Sequence, residues 1–337
     1  MVTIKDIARK AKVSTSTVSH VINGTHYVSE GLMNRIIEAM EEENYHPNLI
    51  VRGLRSKRTN TVGLILPEIS DLFLSELARL IETLLANEGY QMIISNSEDD
   101  INKELESVRT LYKKMIDGIL ILPTTCCKIN IEELKEQNIP VIFIDREISY
   151  INTDVVKIDN VKGCYKATEY LIGLGHHDIC YIGKNLGTST SIERENGFKK
   201  AINDYGLSMR KEFLIKAGGT TYENSRKALA DLLNNYKYLP TAVVTEDDKM
   251  AIGAIRAIND FKLKIPDDIS IIGFDDNMID EFLVPRLSTV KCPMAGMAET
   301  VVKILIDKIK NNNLDNIKKV ILEPVLVIRE STGKLVK

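Results

Sequence analysis

Two short helices joined by a tight turn, at residues 3–22, constrain this chain more than any other feature. Thr3-Ile4-Lys5-Asp6 offers an N-cap threonine with an acid three residues on, so a helix can begin without orphaned amides. Ile4, Ile7, Ala8 and Ala11 then recur at helical spacing. After Lys12-Val13, Ser14 is placed to cap a second helix over Thr15–Ile22, with Val18, Val21 and Ile22 on its apolar face. Its other face carries Thr15, Ser16, Ser19 and His20, short donors and acceptors without bulky charge. The arrangement predicts a helix-turn-helix, in which the second helix enters a DNA major groove.

Charge is distributed to match. The 337 residues carry a formal net charge of −3, which looks wrong for a nucleic-acid binder until it is divided. Residues 1–58 hold nine Lys or Arg against six Asp or Glu, and the remainder holds 35 against 41. From Asn44 to Pro67 there is no acidic residue, while Arg52, Arg55, Lys57 and Arg58 add positive charge. Local charge governs phosphate contact, so the pattern predicts a DNA-binding module on an acidic body. A third helix is expected from a Ser29 cap to about Asn44, with Leu32, Ile36, Ile37, Met40 and Tyr45 on its apolar side. Tyr45-His46-Pro47-Asn48 breaks it, and Leu49–Ser56 can form a short helix that is marginal alone.

From Thr61 the pattern switches to apolar strands alternating with amphipathic helices. Strands are expected at 62–66, 92–95, 118–122 and 141–144, with helices at 72–87, 102–115 and 131–137 between them. A second series follows, with strands at 179–183, 213–217, 242–245 and 269–273. Repeated β-α units predict doubly wound parallel sheets. The halves echo each other: Asn138-Ile139-Pro140 leads a strand ending at Asp145, and Lys264-Ile265-Pro266 leads one ending at Asp275. A carboxylate beyond the C-terminal end of a strand in each half suits a ligand cleft between two lobes.

No Walker A, Gly-x-Gly-x-x-Gly, His-Glu-x-x-His or Gly-x-Ser-x-Gly element is present, so neither an enzyme nor a cofactor is expected. Five cysteines (Cys126, Cys127, Cys164, Cys180, Cys292) form no Cys-x-x-Cys pair and read as thiols in a reducing compartment. No signal peptide or membrane-length apolar run is evident, so a cytoplasmic location away from membranes is expected.

Thr3-Ile4-Lys5-Asp6-Ile7-Ala8, Val13 to Gly24, Leu171-Ile172-x-x-Gly175-His176, Arg194-x-x-Gly197-Phe198 and Gly273-Phe274-Asp275-Asp276 together resemble the lactose-repressor family over nearly the whole chain. The N-terminus is similar to that of the purine and ribose repressors. The resemblance implies a helix-turn-helix headpiece, a hinge helix and a two-lobed core like the periplasmic sugar-binding proteins. It implies a headpiece at 1–47, a hinge and linker at 48–60 and a core at 61–337. Within that core, one lobe takes 61–160 with 292–320 and the other 161–291 with 321–332. It also implies a homodimer on near-palindromic operator DNA, controlled by a small-molecule effector, with no metal. The Gly-His match accounts for His176 without a ligand role.

By the same resemblance, Thr15, Ser16 and His20 match positions that read base edges, although Thr15 and Ser16 also suit the start of a helix. Leu54 matches a leucine that wedges into a base step from the minor groove, and Arg55 a basic residue at a groove edge. Phe73, Asp145, Arg146, Arg194, Asp247 and Asp275 match positions lining the effector cleft, and Tyr222 is a further aromatic candidate. Lys12 stands where the family usually has Gly or Asn, Asp71-Leu72-Phe73-Leu74 where Asn-Pro-Phe-Phe is usual, and Asp247 where Asn is common. Asp145, Asp247 and Asp275 together disfavour a phosphorylated effector and favour a neutral polyhydroxy ligand. The reading is a repressor released from its operator by a small sugar. Dependence on a purine or protein corepressor is the alternative, and a sugar-binding transport protein is the competitor from a different class.

Overall fold

The computed structural model describes residues 2–23, 26–45, 58–124, 139–148, 151–185, 187–219 and 221–335. The expected hinge residues Leu54 and Arg55, the expected helix at 131–137, and Cys126 and Cys127 lie outside the described residues. The chain divides into two compact units, residues 1–59 and 60–337.

In the first unit, α1 spans Ile4–Lys10, α2 Thr15–Asn23 and α3 Glu30–Glu42. The Asp6 carboxylate accepts from the Thr3 amide at 3.0 Å and the Thr3 hydroxyl at 2.6 Å, closing the start of α1. Ser14 Oγ accepts from the Thr17 amide at 3.1 Å and caps α2. Lys12, in the turn between them, has φ 52°. That left-handed backbone costs a β-carbon-bearing residue on the order of 1 kcal/mol, which the packing around the turn outweighs. Ile7, Ala8, Ala11, Val18, Ile36 and Ala39 form the buried core. Ile37, expected on the apolar side of α3, is 40% exposed and Ala39 is buried instead. Leu32, Ile36, Ala39 and Met40 share one face of a 3.6-residue helix, while Ile37 is turned about 100° from Ile36. The Arg35 guanidinium donates to the Ala11 carbonyl, fastening α3 to the end of α1.

The second unit contains two six-stranded sheets. The first runs β11-β5-β4-β3-β1-β2 and the second β12-β10-β9-β8-β6-β7. Its strands are β1 Thr61–Leu66, β2 Gln91–Asn96, β3 Gly118–Ile121, β4 Val141–Ile144, β5 Asp154–Ile158, β6 Ile179–Lys184, β7 Leu214–Ala217, β8 Ala242–Thr245, β9 Ser270–Asp275, β10 Ser288–Lys291, β11 Lys319–Leu322 and β12 Val325–Val327. Every ladder is parallel except β10 with β12. Helices cover the sheet faces: α4 Leu72–Asn87, α5 Ile101–Lys113, α6 Asn160–Gly173, α7 Ser189–Asp204, α8 Tyr222–Asn235, α9 Asp248–Asp260 and α10 Met294–Asn311.

The chain leaves the first sheet after β5 and builds the second through β10. It returns with α10 against α4 and β11 in the first sheet, then adds β12 to the second. Strands β5, β10, β11 and β12 were not anticipated. β5 and β10 carry polar residues that burial satisfies: Asp154 pairs with Lys308 at 2.8 Å, and the Thr289 hydroxyl donates to Asp248 at 2.6 Å. Phe213, expected to open a strand, instead ends a one-turn 3₁₀ helix at Lys211–Phe213.

Two glycines of the sequence motifs are steric requirements. A β-carbon at Gly197 would stand 2.3 Å from the Val161 carbonyl oxygen, so glycine lets α7 close onto α6. A β-carbon at Gly273 would stand 2.1 Å from Asp248 Oδ1, so glycine leaves room for the carboxylate that holds the next corner.

Candidate ligand cleft and DNA-reading helix

The strands of both sheets point their carboxyl ends at one cleft. Pro67, Glu68 and Asp71 follow β1, Asp99 follows β2, and Asp145 and Arg146 follow β4. From the other lobe come Lys184 at the end of β6, Glu246 and Asp247 after β8, and Asp275 at the end of β9, with Arg194 from α7. About 590 Å³ of space, part of it open to solvent, lies between them. This is where open α/β sheets place ligands.

Arg194 organises the second-lobe wall. It is 5% exposed. Its Nε donates to Asn160 Oδ1 at 2.9 Å and its Nη1 to the Glu246 carbonyl at 2.7 Å, while Nη2 lies 3.2 Å from Asp275 Oδ1. The guanidinium carbon lies 3.7 Å from the centre of the Phe274 ring, so the plane is held from its face as well. A guanidinium has five N–H groups, and those not committed here remain for a ligand. Burial pushes the Asp275 carboxyl well up from its ordinary range. The Arg194 guanidinium pulls it down, and the carboxylates of Asp247 and Asp71 push it up again.

Asp275 sits in an unusual backbone, φ 124°, followed by Asp276 at φ 64°. Asp248 holds this corner: its Oδ2 accepts from the Asp276 amide at 2.8 Å and the Asn277 amide at 3.2 Å. Asp247 both caps α9, accepting from the Met250 amide at 2.7 Å, and meets Lys184 Nζ at 2.6 Å. Burial opposes ionisation of Asp247, but the Lys184 ammonium outweighs it and holds the carboxyl below the usual range.

On the first-lobe wall, Asp145 is 6% exposed at φ 62°, and its Oδ1 is buried without a hydrogen-bond partner. Arg146 donates to the Pro123 carbonyl at 2.7 Å and lies 3.7 Å from Asp99. Phe73 lies in the first turn of α4, buried in the core with one side on the cleft. Asp71 caps the same helix, accepting from the Phe73 and Leu74 amides at 3.1 and 3.3 Å. Tyr222 stands apart, lining an adjoining pocket at the mouth with Leu72, Ile279 and Lys249.

The six cleft positions of the sequence reading thus gather around one space. That reading passed over Lys184, Glu246, Asn160 and Asp99. Lys184 had a usable signal, because it ends the apolar run Ile179–Gly183 and so stands at the carboxyl end of a strand. Glu246, just past the expected strand at 242–245, had the same signal, while Asn160 had none, since it acts through Arg194 and that pairing exists only in three dimensions.

In the helix-turn-helix, Thr15 and Ser16 are exposed at the start of α2, and Ser16 Oγ lies 2.7 Å from Ser14 Oγ. The half-buried His20 ring meets His26 edge to face, with centres 4.4 Å apart. His176 is committed elsewhere: Nε2 lies 3.0 Å from the Gly333 carbonyl and Nδ1 3.0 Å from the Thr241 hydroxyl. A carbonyl only accepts, so Nε2 carries the proton and Nδ1 accepts, leaving neither nitrogen for a metal. Among the described residues no helix is long and apolar enough to cross a membrane.

A family model described as bacterial regulatory proteins, lacI family, matches residues 3–48, and one described as a periplasmic binding protein-like domain matches residues 168–332. Catabolite control protein A of Priestia megaterium is 34% identical over 316 residues, spanning 94% of this chain and 95% of its own. The HTH-type transcriptional repressor PurR of Vibrio vulnificus is 33% identical over 341 residues, spanning 99% of this chain and all of its own. Among solved structures, a complex of the transcriptional regulator CelR with cellobiose superposes with a TM-score of 0.74 at 26% identity, over 98% of this chain and 100% of that one. With relatives matched at this identity over almost their full length, the chain belongs to the lacI family of bacterial regulatory proteins, and it is a ligand-responsive, DNA-binding transcriptional regulator, not an enzyme.

Proposed function

We propose that this regulator is a homodimeric repressor, acting in the cytoplasm, that leaves its operator when a small polyhydroxy sugar binds between the lobes. Thr15, Ser16 and His20 read base edges in the major groove, while Leu54 and Arg55 of the hinge enter the minor groove. Residues 1–47 serve as headpiece, 48–60 as hinge and 61–337 as effector-binding core.

The observation that carries the effector half of this reading is the immobilised Arg194. A buried guanidinium fixed by Asn160, Glu246 and Asp275, with spare N–H groups beside carboxylates, is a preorganised partner for adjacent hydroxyls. Phe73 supplies the apolar surface a sugar ring rests on. Glu246 and Asn160 act through Arg194 as positioning residues. Dimerisation is supported by the exposed apolar corner after β9, where Met278, Phe282 and Val284 are 85%, 77% and 90% exposed.

Closure of the lobes on the sugar changes the spacing of the paired headpieces, and the effector's leverage is its differential affinity for the two arrangements. The test is operator binding by wild type and Arg194→Ala, with and without sugar, at fixed salt. The variant is expected to hold the operator and ignore the sugar. Release of both proteins by the same sugar at the same concentration contradicts the role given to Arg194.

A further inference from the structure

The charges around the cleft do not cancel. Among the described residues, seven carboxylates line it against four cations. Two of the acids have strong pairs, Asp247 with Lys184 at 2.6 Å and Asp275 with Arg194 at 3.2 Å. Asp99 has a longer one with Arg146 at 3.7 Å. Glu246 is spoken for by neutral donors, the Lys184 amide at 2.6 Å and the Ser191 hydroxyl at 2.5 Å. Glu68 accepts from the Ser70 amide and hydroxyl, both on Oε1, and these bonds, with the nearby Lys249 ammonium, hold its carboxyl below the usual range. The remaining cation, Lys249, extends over the Tyr222 ring at 5.7 Å, toward the mouth.

Asp71 and Asp145 are left over. Neither forms an ion pair among the described residues. Among the described residues Asp71 accepts from two backbone amides, both on Oδ1, which leaves Oδ2 uncommitted there. Asp145 is more than nine-tenths buried, lines the cleft, and has one carboxylate oxygen with no partner. A buried acceptor of that kind is costly unless something arrives to satisfy it. Burial first, and the Asp247 carboxylate after it, push the Asp71 carboxyl upward against the pull of Lys184 and Lys249. Hydroxyls alone would satisfy the geometry but leave the field; a cation answers both.

We propose that the effector is an amine-bearing polyol, an amino sugar, whose ammonium group is received by the free carboxylate oxygen of Asp145, on the wall that Asp71 makes further negative. This rests on the reading of the cleft as a sugar site and narrows it. Hydrogen bonds to charged groups exceed neutral ones by enough to set a preference of roughly tenfold over the parent hydroxyl compound.

The experiment is titration calorimetry of the full-length protein with the 2-amino-2-deoxy forms of glucose, galactose and mannose, each beside its parent sugar and its uncharged N-acetyl derivative. Work at about pH 6.5 keeps the amine protonated, below the range in which α-amino groups lose their proton. One amino sugar is expected to bind roughly tenfold tighter than both its parent and its N-acetyl form. Asp71→Asn and Asp145→Asn, checked for folding by thermal melting, should each shrink that ratio several-fold. A parent or N-acetyl sugar binding as tightly as the amine overturns the inference and leaves the sugar reading standing. Binding by none of the nine compounds overturns both.

Discussion

Lys184 Nζ and Asp247 Oδ2 lie 2.6 Å apart at the cleft, with side chains only 17% and 5% exposed. They come from the ends of adjacent strands, β6 and β8, which the parallel ladder sets side by side. Two charges withdrawn from water in this way depend on one another, because removing one partner strands the other. Lys184→Met should therefore destabilise the core by about 3 kcal/mol, with Asp247→Asn in the same chain recovering much of the loss. Urea unfolding of the single and double variants checks this; a single variant as stable as wild type contradicts it.

A second expectation concerns pH. Glu104 of α5 is fully buried, accepts from the Thr124 amide at 2.8 Å, and has its other oxygen unpartnered. Burial raises its carboxyl from 4.5 to about 7. A group whose folded value is raised contributes stability that is fully present below the unfolded value and is lost as pH rises through the folded one. Stability should thus decline between about pH 4.5 and 7 through this residue. Glu104→Gln should remove that decline and be the more stable protein above pH 7, by on the order of 2 kcal/mol. Melting curves at pH 5 and pH 8 check the sign, and an unchanged wild-type slope in the variant contradicts it.

The proposed DNA contacts divide by kind. His20→Ala should weaken specific operator binding by about 1–3 kcal/mol and leave non-specific binding nearly unchanged, because base-edge contacts carry sequence information. Leu54→Ala should do the same through the minor groove, since an apolar wedge acts only on bent, specific DNA. Equal losses on specific and random duplexes at matched salt contradict both assignments.

Phe282, 77% exposed beside Met278 and Val284, tests the assembly. Phe282→Lys should shift the protein toward monomer in sedimentation and weaken operator binding, while leaving sugar affinity of the core in place. A variant that remains fully dimeric contradicts the placement of the dimer face here.

Much of this architecture was legible in the residues. Helix 72–87 and strand 242–245 match the structure to the residue, because long amphipathic periods and short buried runs flanked by turn residues are strong local signals. The helix-turn-helix was legible through its caps at Thr3 and Ser14. What escaped was decided by tertiary pairing. β10, with Ser288, Thr289 and Lys291, reads as loop until the hydroxyls find Thr332 and Asp248. The place of Lys184 at a strand end was legible, but its partner was not, because only the pairing of β6 with β8 brings Asp247 beside it. The cleft carboxylates were legible one at a time, but which of them lack a cation was not, since that depends on which lysines and arginines the fold turns inward.

The most direct test of the central claim is fluorescence anisotropy of the protein's own upstream DNA at fixed salt, titrated with neutral and amino sugars. The account predicts saturable release of specific DNA by at least one of them, lost in Arg194→Ala with operator affinity retained. Operator binding that tightens with the ligand, or that no sugar changes, would contradict an inducible repressor with a sugar site between its lobes.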